Sequence, residues 1–111
     1  MSSPQSIGRF APSPSGPLHF GSLLAAIASF MQAKHKGGKW LVRIEDIDPP
    51  REVSGASATI LKQLEQHGLW WDDDVVYQTN QVGHYFGILN YLEGPYLTYT
   101  CICTRPRPIS L

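Results

Sequence analysis

Cysteine is scarce in this 111-residue chain: there are two, Cys101 and Cys103. One residue separates them, too close for an ordinary structural disulfide between them to staple a fold, so a reducing compartment is the simpler expectation. Net charge is lacking as well, because nine basic residues are matched by nine acidic ones. No global field therefore marks a nucleic-acid or membrane partner, and any such partner must be read from local features. No stretch approaches the roughly 18 uninterrupted apolar residues of a membrane span. The opening residues, MSSPQSIGRF, carry no basic stretch followed by an apolar core. Internal repeats and low-complexity tracts are absent too. What these absences leave is a soluble cytoplasmic chain, expected to be monomeric, of a length suited to one core.

The apolar pattern that is present changes period along the chain. Ile7 to Ala11 reads as a short strand running into a proline-rich loop, Pro12 to Pro17. From Ser22, the residues Leu23, Leu24, Ile27, Phe30, Met31 and Lys34 recur at helical spacing, and Gly37-Gly38 supplies a left-handed stop. KWLVRIED then alternates, Trp40, Val42 and Ile44 facing one way and Leu41, Arg43 and Glu45 the other, as a strand requires. After the breaker Pro49-Pro50, Ser54 is the expected cap of a helix carrying Ile60, Leu61 and Leu64 and stopping at Gly68. Val75 to Gln78 predicts a third strand. Val82, Tyr85, Phe86, Leu89 and Leu92 form a helical stripe closed by Gly94-Pro95, and YLTYTCICT reads as a strand or hairpin arm. Strands alternating with helices imply an α/β fold, a mostly parallel sheet with flanking helices. Such sheets bind ligands at the carboxyl ends of their strands, where the two chemically dense stretches fall: Arg9 to Ser22 and Glu45 to Arg51.

The first of these, RFAPSPSGPLHFGSLLAA, stiffens itself before a helix. Each of Pro12, Pro14 and Pro17 fixes its own torsion and pushes Ala11, Ser13 and Gly16 toward extended geometry, so the loop has lost most of its freedom before any ligand arrives. Gly21 lets a bulky group approach the backbone, and a helix start offers unpaired N–H groups and a positive dipole end. A phosphate suits that place, with His19 set to donate to the same anion. Donors fixed in advance where charge develops are worth about 10² to 10³ in rate each.

RFAPSPSGPLHFGS resembles the N-terminal signature of class I aminoacyl-tRNA synthetases of the glutamyl type, HFGS standing where that family carries His-Ile-Gly-His. VRIEDIDPPRE, Val42 to Glu52, is similar to the family's second block. Phe20 followed by Gly21-Ser22, and IEDIDPPRE in place of the usual Asp-Thr-Asp continuation, resemble the branch that acts on queuosine of tRNA(Asp). The resemblance implies the N-terminal half of a Rossmann-type catalytic domain. It implies a ligase that activates glutamate with ATP, carried with Mg²⁺, to an adenylate without tRNA and transfers it to queuosine of tRNA(Asp). It assigns Arg9 to a glutamate carboxylate, with Phe10, Ala11, Pro12 and Ser13 lining the same pocket and Glu45 taking the α-ammonium group. It assigns His19, Gly21 and Ser22 to the chemistry and, with Pro12, to ATP. A bidentate guanidinium suits a carboxylate, and charge-assisted hydrogen bonds contribute about 1.5 to 3 kcal/mol each. An Arg9–Glu45 ion pair between strand ends is the plainer alternative and can coexist with that role in an empty site.

Other features read more plainly. Glu45, Asp46 and Asp48 could suggest a divalent metal, but the prolines after them look like a device for shaping a loop. Asp72 to Asp74 read as a solvated turn, and Trp70 and Trp71 as packing residues. Cys101 and Cys103 alone are two ordinary thiols or half of a tetrahedral zinc site. By resemblance they begin a zinc-binding insertion, at about 98–111, whose remaining ligands, a tyrosine and another cysteine, lie further along the family's chain. The family's second signature, a Lys-Met-Ser-Lys-Ser-like loop that stabilises departing pyrophosphate, has no counterpart in these residues, and PRPISL departs from the family pattern. A catalytically inactive fragment is the expectation. Its rivals are a fragment of an ordinary glutamyl-tRNA synthetase and a non-catalytic nucleotide-binding remnant. RIEDIDPPRE disfavours another nucleotidyltransferase with the same histidine motif.

Overall fold

The computed structural model describes residues 4–104, which divide into two compact units meeting in sequence at Gln81 and Val82. In the first unit a strand β1 (Ile7–Phe10) leads to a helix α1 (Phe20–His35), a strand β2 (Lys39–Ile44), a helix α2 (Ala56–Gln66) and a two-residue strand β3 (Val76–Tyr77). Single 3₁₀ turns sit at Pro49–Arg51 and Gln78–Gln81. The second unit holds a helix α3 (Val82–Glu93).

The three strands are all parallel, in the order β1-β2-β3, with Ile7 opposite Lys39 and Phe10 opposite Val42 on one side of β2, and Arg43 opposite Val76 on the other. α1 and α2 are the crossovers. The expected α/β class is therefore the observed one, with β2 in the centre. Its alternation explains that position: Trp40, Val42 and Ile44 are fully buried while Lys39, Leu41 and Arg43 are not. Ile60 and Leu64 on α2 and Ala26 and Ala33 on α1 close over the same core. Each large side chain buried this way contributes about 1.5–3 kcal/mol. Phe10 stacks at 6.1 Å from the Trp40 ring and Phe30 meets it edge-on at 5.3 Å. The one polar atom of that indole is satisfied across the layers, since Trp40 Nε1 donates to Ser29 Oγ at 2.8 Å and Ser29 in turn donates to the Ala26 carbonyl.

Local signals account for most boundaries. α1 begins two residues earlier than the apolar spacing predicts, at Phe20, because His19 caps it. It ends before Gly37, whose φ of +63° is the left-handed stop expected of a glycine there. Ser54 does not cap α2. Gly55 holds the N-cap position at φ +77°, and no side chain caps the first-turn amides. The third strand is shorter than the Val75 to Gln78 expected, and Tyr96 to Thr104 form no strand or hairpin arm. Trp71 packs against the core as anticipated, but Trp70 is 60 % exposed and does not.

The Asp72 to Asp74 turn is also more than solvated. Asp72 accepts from the Trp40 amide at 2.8 Å and from Lys34 Nζ at 2.6 Å, and its own amide donates to the Trp40 carbonyl. Lys39 Nζ reaches both carboxylate oxygens of Asp73. These bonds pin the chain after α2 to the amino end of β2, away from the strands' carboxyl ends. Among the described residues no helix is long and apolar enough to cross a membrane.

Candidate functional site

Two loops meet at the carboxyl ends of β1 and β2. Within the opening loop the Ser15 amide donates to the Ser13 carbonyl at 2.9 Å, and the second loop and α2 satisfy three further backbone groups. The Glu45 amide donates to the Pro12 carbonyl at 3.0 Å, the Val53 amide donates to the Pro14 carbonyl at 2.9 Å, and the Leu18 amide donates to Gln63 Oε1 at 2.8 Å. Pro12 and Pro14 are buried beneath these contacts while Ser13 between them and Ser15 after them stay exposed. The rigid loop is thus held at three points, with its serines turned outward.

A cleft of about 370 Å³ opens beside it, lined by the chain from Phe10 to Ser13, by Ser15 to His19, and by Ser22 and Ala25 on α1. A second, smaller hollow of about 30 Å³ lies between Ser13, Pro14, Ser15, Glu45, Asp48, Arg51 and Glu52. Ser13 and Ser15 line both. The structure therefore brings Phe10, Ala11, Pro12, Ser13, His19 and Ser22 around one cleft and puts Glu45 in the adjoining one. Arg9 lines neither. It is exposed on β1 opposite Leu41, and the Arg9–Glu45 ion pair considered from the sequence does not form. Glu45, just past the end of β2, instead accepts from Arg43 Nη2 at 2.9 Å, two residues back along the chain.

At the helix start the imidazole of His19 is turned back on α1. Nδ1 accepts from the Ser22 amide at 3.2 Å and Nε2 lies 2.9 Å from Ser22 Oγ. For Nδ1 to accept, the ring must be neutral with its proton on Nε2, which then donates to the Ser22 hydroxyl and leaves the hydroxyl's own proton free to point elsewhere. The Leu23 amide bonds the His19 carbonyl in the first helical turn. The open donors are then the Phe20 and Gly21 amides and the Ser22 hydroxyl, at the positive end of a 16-residue helix. A Cβ at Gly21 would stand 3.2 Å from both His19 Cε1 and Nδ1, so any larger residue there has to displace the capping imidazole by a few tenths of an ångström. An anion is the ligand this arrangement suits.

Asp46 sits just past β2 and is 9 % exposed, the buried charged side chain among the described residues. It accepts from the Thr79 amide at 3.0 Å and the Thr79 hydroxyl at 2.8 Å. Burial pushes the carboxyl up, but the Thr79 bonds and the amides of Asp46 and Gln78 more than offset it and hold the group below its ordinary range. Asp48 pairs instead with Arg51 Nε at 3.2 Å. Both acidic side chains are thus committed to protein donors, and no group of three or more His, Cys, Asp or Glu gathers for a metal among the described residues. Cys101 and Cys103 are exposed, and the Cys103 amide donates to Cys101 Sγ, which lowers that thiol from its ordinary value. Two thiols do not make a zinc site, and the last part of the expected insertion, 105–111, lies outside the described residues. Sequence reasoning missed Gln63, Thr79 and Arg43, which act through long-range or near-neighbour contacts that no local motif announces.

A parallel α/β sheet carries a histidine-capped helix start and two interlocked loops at its carboxyl edge, and the chain belongs to the family described as tRNA synthetases class I (E and Q), catalytic domain, which it matches over residues 7–107. Relatives within it sharpen the comparison. The chain is 62 % identical over 101 residues to the glutamyl-Q tRNA(Asp) synthetase of Yersinia pestis, covering 91 % of this chain and 32 % of that protein. It is 59 % identical over 107 residues to that of Escherichia coli K12, covering 96 % and 35 %. It therefore spans about a third of the length of these relatives. Among solved structures it superposes on a glutamate tRNA ligase from Elizabethkingia meningosepticum, in complex with its amino acid, with a TM-score of 0.82 and 29 % identity over 96 % of this chain and 23 % of that one. The glutamate-tRNA synthetase of Elizabethkingia anophelis gives 0.78 and 32 %, over 82 % and 20 %.

Proposed function

We propose that residues 1–111 are part of a class I catalytic domain carrying the glutamate and triphosphate subsites of a ligase that activates glutamate with ATP and passes it to queuosine of tRNA(Asp). The observation that carries this reading is the bond from the Glu45 amide to the Pro12 carbonyl, which makes one site of two motifs some thirty residues apart in sequence.

In this reading the ligand's ammonium group displaces Arg43 from Glu45, and Arg9 swings from solvent to a glutamate carboxylate. Phe10, Ala11, Pro12 and Ser13 wall the amino acid, and Ser13 also faces the cleft taken by ATP. The Phe20 and Gly21 amides and the Ser22 hydroxyl receive phosphate oxygens, with His19 orienting that hydroxyl. A carboxylate oxygen of glutamate attacks the α-phosphorus, the bond to the β-phosphate oxygen breaks, and pyrophosphate leaves with the electron pair. Transfer to queuosine then releases AMP. Mg²⁺ arriving with ATP neutralises phosphate charge. Zinc at Cys101 and Cys103 needs further ligands and has no part in these steps. Identity near 60 % to glutamyl-Q tRNA(Asp) synthetases, against about 30 % to the glutamate tRNA ligases, favours queuosine over the end of a glutamate tRNA as acceptor.

The family's lysine loop is absent from these residues, so binding is the readout for this chain and glutamate-dependent pyrophosphate exchange is expected to stay at background. Melting followed with ATP, L-glutamate, both, or L-aspartate tests the reading. A ligand at about a hundredfold its Kd adds about 2.7 kcal/mol to the native state. ATP and L-glutamate are expected to raise the melting temperature and L-aspartate to leave it unchanged. No shift with ATP and glutamate together rules the reading out.

A further inference from the structure

We propose that Asp46 is a positioning residue for Glu45: by clamping Thr79 it fixes the direction in which the Glu45 side chain leaves the end of β2, and so sets glutamate affinity without touching glutamate. The proposal rests on the assignment of Glu45 to the ligand's ammonium group.

The alternation of β2 does not stop where its hydrogen bonding does. Ile44 is buried, Glu45 half-buried and Asp46 buried, so successive side chains still leave opposite sides of the chain. Glu45 consequently faces the opening loop, where Ser13 and Ser15 share its hollow. Asp46 faces the 3₁₀ turn that follows β3. A buried carboxylate is costly unless its oxygens are bonded, and here both are, Oδ1 by the Thr79 amide at 3.0 Å and Oδ2 by its hydroxyl at 2.8 Å.

Glu45 is held on both sides in consequence. Its amide is tied to the Pro12 carbonyl, and the next residue's side chain is tied to Thr79. Turning the Glu45 Cα–Cβ bond to another direction means rotating the backbone between those two anchors, which breaks one of them; the carboxylate beyond it turns only about its own side-chain torsions. Beyond Asp46 the chain runs into Pro49-Pro50, with no ladder partner to hold Glu45 in its place.

The test uses the 111-residue chain with Asp46→Ala, Thr79→Val and the conservative Thr79→Ser, each read by residue-resolved amide exchange and by separate glutamate and ATP titrations. Asp46→Ala and Thr79→Val are expected to speed exchange at Glu45 and Thr79 about tenfold, roughly the loss of one charge-assisted hydrogen bond, with Val42 and Ile44 unchanged. Glutamate affinity should fall about tenfold and ATP affinity by less than about twofold, with Thr79→Ser close to wild type. Unchanged exchange at Glu45 overturns the proposal. So does a uniform rise through β2 with both affinities falling together, which is the behaviour of a residue that only stabilises the fold. A wild-type chain that binds no glutamate overturns the functional reading alone, and the exchange pattern still decides whether Asp46 orders Glu45.

Discussion

The Glu45 amide donates to the Pro12 carbonyl at 3.0 Å, and through that one bond the loop after β1 and the loop after β2 become a single surface. Pro12 has no amide of its own to offer and its φ is fixed by the ring, so its ψ alone sets the direction of its carbonyl. Glu45 is fixed relative to Ser13 by a contact that depends on neither side chain. The site is therefore rigid in its backbone and adjustable only in its side chains, Arg9 and Glu45 above all. The predictions below follow from that division.

His19 acts as a cap in the free chain. Replacing it with alanine removes the acceptor for the Ser22 amide and should cost about 0.5–2 kcal/mol of stability. Asparagine, whose carbonyl can accept the same amide, should restore most of it. Thermal melts of the two variants check this, and equal losses would show that the Nδ1 bond contributes nothing.

Arg43 occupies the carboxylate that an incoming ammonium group needs. The pair is partly exposed, and such pairs are worth about 0–1 kcal/mol. Arg43→Gln should therefore tighten glutamate binding by up to about fivefold and leave ATP binding unchanged, as calorimetric titration of each ligand would reveal.

Gly8 marks the closest approach of β1 to α1. A Cβ there would stand 2.8 Å from Ala33 Cβ and 3.0 Å from the Ser29 carbonyl, both on the helix that covers the strand. Gly8→Ala forces α1 away from the sheet and is expected to cost about 1–3 kcal/mol, a drop of several degrees or more in melting temperature.

Acid should unfold the chain through two carboxylates. Asp72 is held below its ordinary value by the Lys34 bond first and the Trp40 amide second, and Asp46 lies low because its amide and hydroxyl donors outweigh burial. A depressed native pKa gives stability that is complete above the unfolded value of about 3.9 and is lost as pH falls through the lower native one. Melting temperature should accordingly decline below about pH 4, and Asp46→Asn and Asp72→Asn should each flatten the decline.

How much of this was legible beforehand depends on the range of the signal. The period of two in KWLVRIED predicted which face of β2 is buried, since alternation is a property of the strand itself. The proline spacing predicted a stiff loop before a helix for the same reason. Ser54 misled, because Gly55 beside it takes the left-handed turn that starts α2 and leaves the hydroxyl without a first-turn amide to cap. The tyrosines and threonines of YLTYTCICT suit a strand, but a strand needs a neighbour to pair with, and propensity supplies none. Within the site, the residue types were readable and their pairing was not. Nothing in the spacing says that Glu45 takes Arg43 rather than Arg9, or that the opening loop is held by Gln63, 45 residues beyond Leu18.

The most direct test of a shared glutamate and ATP site is a two-dimensional amide titration of the 111-residue chain. L-Glutamate is expected to shift Ser13 and Glu45, ATP to shift Phe20, Gly21 and Ser22, and each ligand to leave the Trp40 to Val42 core in place. Perturbations scattered over the surface, or confined to one loop whichever ligand is added, would contradict the claim that the two motifs build one site.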